Sequence, residues 1–483
     1  MCRSGNRFAL FTLSFTVIDM SLKFYNTLTK KIEDFSPINP LEVSIYSCGP
    51  TVYDFAHIGN LRSYVFADIL HRTLEFAGYK VNHVVNITDV GHLTSDADSG
   101  EDKMMKGLKR EGLPVTIEGM RQLAEKFENL FKDDLKALNI KLANTFPRAS
   151  EHIHEQIELI KKLEQKGITY ETSDGIYFDT SKDPHYGALG GLTDTGEART
   201  RVNDTDEKKN NRDFALWKFN GELGWDSPWD TGFPGWHIEC SAMSQKYLGE
   251  TFDIHTGGID HIPVHHNNEI AQSTCATGKP LAHFWMHNEF VTVESGKMAK
   301  SEGNFITLNT LKEHDIHPLA YRYWLLTAHY RSPITFSYEA VEAAQHALER
   351  LVYALSEYKK DGDGVIIVEW MDGFEKVLFD DLNTPQAIAY LHAIENSNQS
   401  NADKYRTIIE IDKVLGLNLE KLSEDIQDIP NEIKALAEKR SALREEKQWE
   451  ASDKIRTDIE TKGFHIKDSG NNHVIWRPLA SLI

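Results

Sequence analysis

Two short motifs, far apart in the chain, carry residue types that suit phosphate chemistry. His57-Ile58-Gly59-Asn60 lies where a helix is predicted to begin, and Lys297-Met298-Ala299-Lys300-Ser301 lies between Gly and Ser residues. A helix N-terminus offers unpaired backbone N–H groups and a positive dipole end, and Gly59 lets an anion approach the backbone. The ammonium groups of Lys297 and Lys300 suit a pyrophosphate leaving group that gains charge. Taken alone, the first motif is commonly a chance match and the second an ordinary surface loop.

Four dispersed residues could bind a divalent cation. His265 and Glu269 are four positions apart, so a helix would place both side chains on one face. Cys48 and Cys240 could add thiolates and complete a mixed Cys2-His-Glu tetrahedron of the kind that zinc accepts. Spacing alone does not join residues this far apart. Glu269 could equally be a surface carboxylate, and His266 could compete with His265.

The elements that must position these residues follow a strand, helix, strand order. Residues 41–47 and 81–87 are β-branched runs, and residues 61–76 between them have helical periodicity. Such a unit predicts parallel strands, a right-handed crossover and a ligand at the carboxyl ends of the strands. Residues 183–211 lack periodicity and are predicted to form a long loop. After residue 311 the pattern becomes helical, most clearly over residues 338–358.

Composition limits the class of protein. The chain has 483 residues, 40% of them apolar, which excludes a solvated tail and a small disulfide scaffold. The 53 Lys and Arg against 73 Asp and Glu give a formal net charge of −20, which argues against an indiscriminate polyanion binder. Residues 431–483 contain ten basic and nine acidic residues, so this tail is +1 and the rest of the chain is −21. Widely spaced cysteines favour a reducing cytosol, and Cys2 and Cys275 receive no predicted role.

The first 19 residues are predicted to be an extension or a misplaced start, with Met20 as the initiator. Arg3 and Arg7 precede an apolar run over residues 8–18 that loosely resembles a short signal peptide, but no small-residue cleavage site follows it. The run is too short to span a bilayer, and nothing later reaches about 18 uninterrupted apolar residues. The sequence therefore predicts no association with a membrane.

Three longer motifs connect the phosphate motifs to a known family. They are Gly235-Trp236-His237-Ile238-Glu239-Cys240-Ser241-Ala242-Met243, Phe252-Asp253-Ile254-His255 and His265-His266-Asn267-Asn268-Glu269-Ile270-Ala271-Gln272-Ser273. With these motifs the chain resembles, from about Ser21 to its C-terminus, the cysteinyl-tRNA synthetases among the class I aminoacyl-tRNA synthetases.

The chain departs from this family at three points. Its HIGH motif ends in Asn60 instead of His, and its KMSKS motif has Ala299 in place of the middle Ser, although both lysines are kept. It also carries residues 91–102 where the family has a short link, and no role follows from this insertion. Some relatives form persulfides with pyridoxal phosphate, for which Lys103 and Lys106 are the lysines to examine.

The resemblance implies ATP-dependent activation of L-cysteine and its transfer to tRNA(Cys). It implies one Zn²⁺ per chain on Cys48, Cys240, His265 and Glu269, and Mg²⁺ with ATP. Zinc binds a substrate thiolate far better than the hydroxyl of serine, so no editing domain is needed. From the sequence alone, Trp236 could be a residue that packs in the core and not one that binds cysteine. Asp260 could be a solvated turn residue and not one that binds ATP. The implied catalytic residues are His57, Asn60, Lys297 and Lys300; the ATP-binding residues are His57, Gly59, Asn60, Gly258, Asp260 and Lys300; the cysteine-binding residues are Cys48, Gly49, Thr88 and Trp236.

The C-terminal region is expected to contact tRNA. Arg440, Arg444 and Lys447 fall at i, i+4 and i+7 and are predicted to share one basic helix face. On spacing alone a solvated charged face is the simpler interpretation, whereas the resemblance favours RNA binding. The protein is expected to be a cytoplasmic monomer. Two alternatives remain: a zinc-dependent cysteine:amino-sugar ligase of the mycothiol pathway, and an inactive zinc- and RNA-binding regulator.

The predicted fold class is α/β, with a doubly wound parallel Rossmann-type catalytic domain that contains an inserted connective domain. An α-helical bundle and a small anticodon-binding domain follow. The predicted ranges are 1–19 for the extension, 20–143 and 225–282 for the two halves of the catalytic domain, 144–224 for the connective insertion, 283–325 for the stem-contact region with the KMSKS-like loop, 326–425 for the bundle and 426–483 for the anticodon-binding domain.

Overall fold

The computed structural model describes residues 21–90, 103–192, 207–221, 223–293, 305–469 and 472–483. The predicted extension 1–19, the insertion 91–102, and Lys297 and Lys300 lie outside these ranges. The β-strands are β1 (Lys23–Asn26), β2 (Lys31–Asp34), β3 (Glu42–Ser47), β4 (Lys80–Val85), β5 (Thr169–Thr172), β6 (Gly175–Phe178), β7 (Phe214–Phe219), β8 (Gly232–Pro234), β9 (Phe252–Gly258), β10 (Ala282–Asn288), β11 (Val291–Val293), β12 (Ile334–Phe336), β13 (His465–Ser469) and β14 (Asn472–Trp476). The α-helices are α1 (Ile58–Phe76), α2 (Lys103–Glu111), α3 (Ile117–Ala137), α4 (Ile153–Gln165), α5 (Trp236–Leu248), α6 (Asn267–Thr277), α7 (Leu308–Glu313), α8 (Pro318–Leu326), α9 (Tyr338–Tyr358), α10 (Val368–Leu378), α11 (Thr384–Glu395), α12 (Asn401–Leu415), α13 (Leu419–Asp425), α14 (Asn431–Glu445) and α15 (Trp449–Thr461).

A four-stranded parallel sheet in the order β10-β9-β3-β4 carries the site. Ile45 of β3 lies opposite His83 of β4 on one side and Ile254 of β9 on the other. The strands are buried along most of their length, as is usual for parallel strands. Helix α1 crosses from β3 to β4, as the strand, helix, strand pattern predicts. The predicted α/β class with a parallel Rossmann-type sheet is confirmed.

A second, antiparallel sheet in the order β5-β6-β7-β8 is inserted between the two halves of the parallel sheet. It packs with α4 around its own core, in which the rings of Phe178 and Phe214 stack at 4.9 Å between centroids. Strand β8 comes after residue 224, the predicted end of the connective insertion. After β8 the chain passes through α5 and returns to the parallel sheet at β9.

Helices α8 to α13 form a bundle whose core is continuous with that of the catalytic domain. Helix α9 has the bounds that the sequence pattern predicts. At the junction, the buried Arg322 of α8 contacts Asp68 of α1 at 2.6 Å and donates to the carbonyl of Leu415 at 2.8 Å. No helix in the described ranges is both long enough and apolar enough to cross a membrane.

The C-terminal module consists of α14, α15 and the hairpin β13-β14. Helix α14 ends at Glu445, because Lys447 takes a left-handed conformation with φ 58° and the N–H of Gln448 bonds back to the carbonyl of Leu443. The prediction that Arg440, Arg444 and Lys447 share one helix face is therefore wrong. The module has a separate core formed by Ile429, Ile433, Ala437, Ile455, Ile459 and Ile466.

Candidate active site and metal centre

A cavity of about 530 Å³ lies beside the carboxyl ends of the parallel strands. This is the edge where an open α/β sheet binds its ligands. The start of α1, the end of β9 and the start of α5 all contribute side chains to the wall. The predicted site residues that line it are Cys48, Gly49, His57, Gly59, Asn60, Trp236, Cys240, Gly258, Asp260 and His265.

His57 is the N-cap of α1 and forms a reciprocal capping box with Asn60. The N–H of Asn60 donates to His57 Nδ1 at 3.2 Å, and the N–H of His57 donates to Asn60 Oδ1 at 3.3 Å. Because Nδ1 accepts a hydrogen bond, a neutral His57 carries its proton on Nε2, which can donate to a phosphate oxygen. A Cβ on Gly59 would lie 2.9 Å from the His57 ring, so glycine preserves this arrangement.

Gly49 and Thr88 lie on neighbouring segments that follow β3 and β4. A Cβ on Gly49 would lie 1.5 Å from the carbonyl oxygen of Asn86, so only glycine fits there. The N–H of Gly49 donates to Asn86 Oδ1 at 2.8 Å. Thr88 does not line the cavity; its hydroxyl donates to the buried carboxylate of Glu239 at 2.8 Å. Burial raises the pKa of Glu239 well above its usual value.

A cluster of possible metal ligands comprises Cys48, His265, His266 and Glu269, whose ligand atoms lie within 4.8 Å of one another. His265 Nε2 is 2.9 Å from Glu269 Oε1, as expected for residues four apart on a helical segment. Cys48 Sγ is 4.0 Å from Glu269 Oε1 and 3.2 Å from His266 Nε2. The competition between His265 and His266 that the sequence leaves open is therefore present in the structure.

Cys240 adjoins this cluster on the first turns of α5. Its thiol lies beside Cys48 and His265, and hydrogen bonding with Cys48 lowers the pKa of Cys240 to about 6, whereas burial raises the pKa of Cys48. A thiol with a lowered pKa is readily present as the thiolate that binds a metal.

Three further histidines hold members of this cluster in place, and sequence reasoning missed them. His237 Nδ1 is 2.9 Å from His265 Nδ1, and His255 Nε2 is 2.9 Å from Glu269 Oε2. His287 Nε2 is 2.7 Å from His266 Nδ1. Partners of this kind orient metal ligands. Burial would raise the pKa of Glu269, but His255 and His265 outweigh it and lower that pKa to about 2.

Trp236 joins the cluster to the cavity. Its ring stacks on that of His265 with centroids 4.2 Å apart, so it packs against a predicted ligand and also faces the cavity. The ammonium of Lys103 lies 5.9 Å from the centroid of the same ring. Also in the cavity wall, a Cβ on Gly258 would lie 2.3 Å from Asp260 Oδ1, so glycine leaves room for this carboxylate in its present orientation.

The residues on either side of the KMSKS-like loop reach the start of α1. The N–H of Ile58 donates to the carbonyl of Ile306 at 2.9 Å, and the ring of Phe305 is 5.4 Å from that of His57. On the other side, Val291 of β11 lines the cavity. The described residues on both sides of 294–304 therefore line the cavity, and Phe305 contacts His57.

Comparison with known proteins decides the family. A family model for the class I (C) catalytic domain of tRNA synthetases matches residues 34–346. The chain is 47% identical to cysteine–tRNA ligase 1 of Burkholderia lata over 93% of this chain and 96% of that protein. It is 42% identical to the cysteine–tRNA ligase of Zymomonas mobilis, over 94% and 98% of the two chains. The chain belongs to the cysteine–tRNA ligase family.

Solved structures support the family's fold at low sequence identity. The methionyl-tRNA synthetase of Mycobacterium tuberculosis, solved with methionyl-adenylate, superposes with a TM-score of 0.57 and 16% identity. The match covers 81% of this chain and 95% of that structure. The class I architecture is thus shared across the catalytic domain and the helical region.

The basic residues that are expected to contact tRNA lie in different environments in this member of the ligase family. Arg440 is 1% exposed and forms a bidentate ion pair with Asp468, at 2.6 and 3.1 Å. The expectation of an RNA contact is therefore wrong for Arg440, which stabilises the fold of the module. Arg444 also contacts Asp468, at 3.2 Å, and its guanidinium lies 5.2 Å from the centroid of Trp449. Lys447 is exposed.

Proposed function

We propose that this protein is a cytoplasmic cysteine–tRNA ligase. It activates L-cysteine with ATP to cysteinyl adenylate and transfers the cysteine to the 3′-terminal adenosine of tRNA(Cys). The observation that carries the proposal is the thiol, imidazole and carboxylate cluster beside a cavity that also contains His57 at the N-terminus of α1. One site can thus bind a thiol substrate and the phosphates of ATP.

Zinc suits the donors of this cluster. The proposed ligands are Cys48, Cys240, His265 and Glu269, a mixed set of soft and harder donors of the kind that binds Zn²⁺. His265 is preferred to His266 because His265 lines the cavity and its ring stacks on that of Trp236, whereas His266 does not line the cavity. When bound, the ion would act as a Lewis acid that holds the substrate sulfur as a thiolate.

The protein's own groups then position and stabilise the phosphates. His57 Nε2–H and the N–H of Gly59 bind the phosphate oxygens, since both can donate hydrogen bonds there and the helix dipole favours an anion. Asn60 keeps its amide NH2 as a donor while its oxygen caps the helix. Lys297 and Lys300 stabilise the departing pyrophosphate, and Mg²⁺ accompanies ATP. Positioning and electrostatic stabilisation supply most of the acceleration, so no side-chain nucleophile is assigned.

The helical bundle and the C-terminal module are proposed to bind tRNA(Cys), with the protein acting as a monomer. Arg444 and Lys447 remain the proposed RNA contacts in the module. The amino-sugar ligase alternative is disfavoured by the curated relatives, since cysteine–tRNA ligases match almost the full length of this chain.

The test is ATP-dependent charging of total tRNA with labelled cysteine, run beside labelled serine and an amino-sugar acceptor. We expect cysteine to be attached to tRNA and neither serine charging nor transfer to the sugar. Transfer to the sugar alone would favour the mycothiol-pathway reaction. Binding of tRNA without any cysteine-dependent turnover would favour an inactive regulator.

A further inference from the structure

A buried chain of hydrogen bonds, which the mechanism above does not use, connects the loop after β3 to helix α5. The N–H of Gly49 donates to Asn86 Oδ1 at 2.8 Å, and Asn86 Nδ2 donates to Thr88 Oγ1 at 3.2 Å. The Thr88 hydroxyl in turn donates to Glu239 Oε2 at 2.8 Å. Because a backbone N–H can only donate, it fixes the orientation of the Asn86 amide and so the direction in which the Thr88 hydroxyl donates.

The two ends of this chain are sequence neighbours of the proposed thiolate ligands. Gly49 directly follows Cys48, and Glu239 directly precedes Cys240. Both cysteines line the cavity, as do Gly49 and Asn86. The hydrogen bonds therefore lead from one thiol-bearing segment of the cavity wall to the other, by way of the segment that follows β4.

The segment after β4 is held to the loop after β3 by backbone bonds as well. The N–H of Thr88 donates to the carbonyl of Pro50 at 3.1 Å, and the N–H of Val52 donates to the carbonyl of Thr88 at 3.1 Å. These bonds fix the two segments to each other without any contribution from α5. The bond between Thr88 and Glu239 then ties this pair of segments to α5.

The stability of α5 alone does not explain a carboxyl group at position 239. The side chain of Glu239 is fully buried, and its second oxygen, Oε1, has no hydrogen-bond partner among the described residues. Burial of a polar oxygen without a partner is destabilising, and an apolar side chain would avoid that cost. The contact that gives the carboxyl group a role is the hydrogen bond it accepts from Thr88.

We propose that Glu239 is a positioning residue for the cysteine pocket. Through Thr88 and Asn86 it sets the distance between the two segments that carry the proposed thiolate ligands, and hence the place where the sulfur of the substrate is bound. Glu239 acts through these residues, since neither it nor Thr88 is among the described residues that line the cavity. This inference rests on the function proposed above.

The experiment compares Glu239→Leu and Glu239→Gln with a matched control, Asp89→Asn, in the full-length zinc-loaded protein. Asp89 is another buried carboxylate, but it accepts from the N–H and the hydroxyl of Ser150, at 2.9 and 2.5 Å, outside this chain of bonds. In cysteine-dependent ATP–pyrophosphate exchange, Glu239→Leu should lower kcat/KM for cysteine by about 10²-fold, mainly through KM, because binding groups are slightly misplaced. The KM for ATP should not change.

A second readout is the zinc affinity of the protein without substrates, measured by competition with a chelator. Residues that orient metal ligands change metal affinity by about 10–100-fold, so Glu239→Leu should bind zinc at least about tenfold more weakly. Glu239→Gln should keep most of both properties, because its amide oxygen can accept from the Thr88 hydroxyl. Asp89→Asn should lower the unfolding temperature and leave the KM for cysteine and the zinc affinity unchanged.

Where Glu239→Leu does not fold, Thr88→Val carries the same comparison, with Thr88→Ser as the control that keeps the hydroxyl. Where both fold, the double variant Glu239→Leu with Thr88→Val should lose little more than either single variant, because each breaks the same bond. Fully multiplicative losses, or equal effects of Glu239→Leu and Asp89→Asn on the KM for cysteine and on zinc affinity, would overturn the inference. A wild-type protein that shows no cysteine-dependent exchange would overturn the proposed function instead, so the two failures are distinguishable.

Discussion

Glu269 is a buried carboxylate whose two oxygens contact different histidines, His265 through Oε1 and His255 through Oε2. The sequence predicts the first contact, because the residues are four apart on a helical segment. It does not predict the second, because His255 comes from β9 and only the sheet brings it to α6. Cys48 and Cys240 likewise could be joined to the cluster by family resemblance but not by spacing.

Cys240→Ser tests the metal centre at the residue scale. A serine hydroxyl does not ionise near neutral pH and is a poor zinc ligand, so we expect the zinc content to fall well below one ion per chain. The preference for cysteine over serine in ATP–pyrophosphate exchange should fall with it. Elemental analysis and exchange assays with both amino acids provide the measurements.

Cys275→Ser is the matched control, because Cys275 is a partly buried thiol that packs against the core of the inserted domain. It should keep its zinc and its selectivity. Full zinc occupancy in Cys240→Ser would remove Cys240 from the ligand set and leave His266 as the remaining candidate.

At the scale of elements, hydrophobic periodicity predicts where helices lie better than where they stop. Helix α9 is found where the pattern places it. Helix α14 ends earlier than the basic pattern implies, because Lys447 adopts a left-handed conformation that side-chain spacing does not encode. Arg440 then points to Asp468 of β13, a partner that only the packing of the module supplies.

The joint between α1 and the bundle depends on one buried carboxylate, Asp68. Burial opposes its ionisation, but Arg322 and Arg72 outweigh burial and lower its pKa below 3.8. A lowered pKa in the folded state contributes stability above pH 3.8, which is lost as the pH falls through the folded value. Asp68→Asn should therefore destabilise the protein by about 3–5 kcal/mol at pH 7, since two buried arginines lose their partner.

Urea unfolding measured between pH 3 and pH 7 checks this prediction. The difference in unfolding free energy between wild type and Asp68→Asn should be constant near neutral pH and shrink below pH 3.8. A difference that stays constant down to pH 3 would contradict the proposed ionisation of Asp68.

At the scale of the whole molecule, the C-terminal module is attached to the bundle at both of its ends. Its chain enters from α13 and leaves through residues 477–483, where Leu479 is fully buried in the main core. The N–H of Leu479 donates to Glu349 of α9 at 2.9 Å, and the N–H of Arg477 donates to the carbonyl of Ile426 at 3.0 Å. A double attachment restricts how the module can turn relative to the catalytic domain.

Removal of residues 477–483 should therefore affect tRNA and not cysteine activation. We expect the KM for tRNA in charging to rise several-fold, because a loosely held module contacts the RNA less productively, while ATP–pyrophosphate exchange keeps its rate. The point variant Leu479→Ala should have the same effect in weaker form. An equal loss in both reactions would indicate general unfolding instead of a loosened module.

The pairing of β3 with β9 has a consequence for biosynthesis. Ser44 of β3 and Asp253 of β9 are hydrogen-bonded at 2.7 Å although 209 residues separate them. At about 5–20 residues translated per second, roughly 10–40 s pass between the synthesis of β3 and that of β9, with which it pairs. Cys240 and His265 are likewise synthesised long after Cys48, so a nascent chain cannot assemble the proposed metal site until the inserted domain has been made. Occupation of the proposed site by zinc would therefore require both halves of the sheet to have been synthesised.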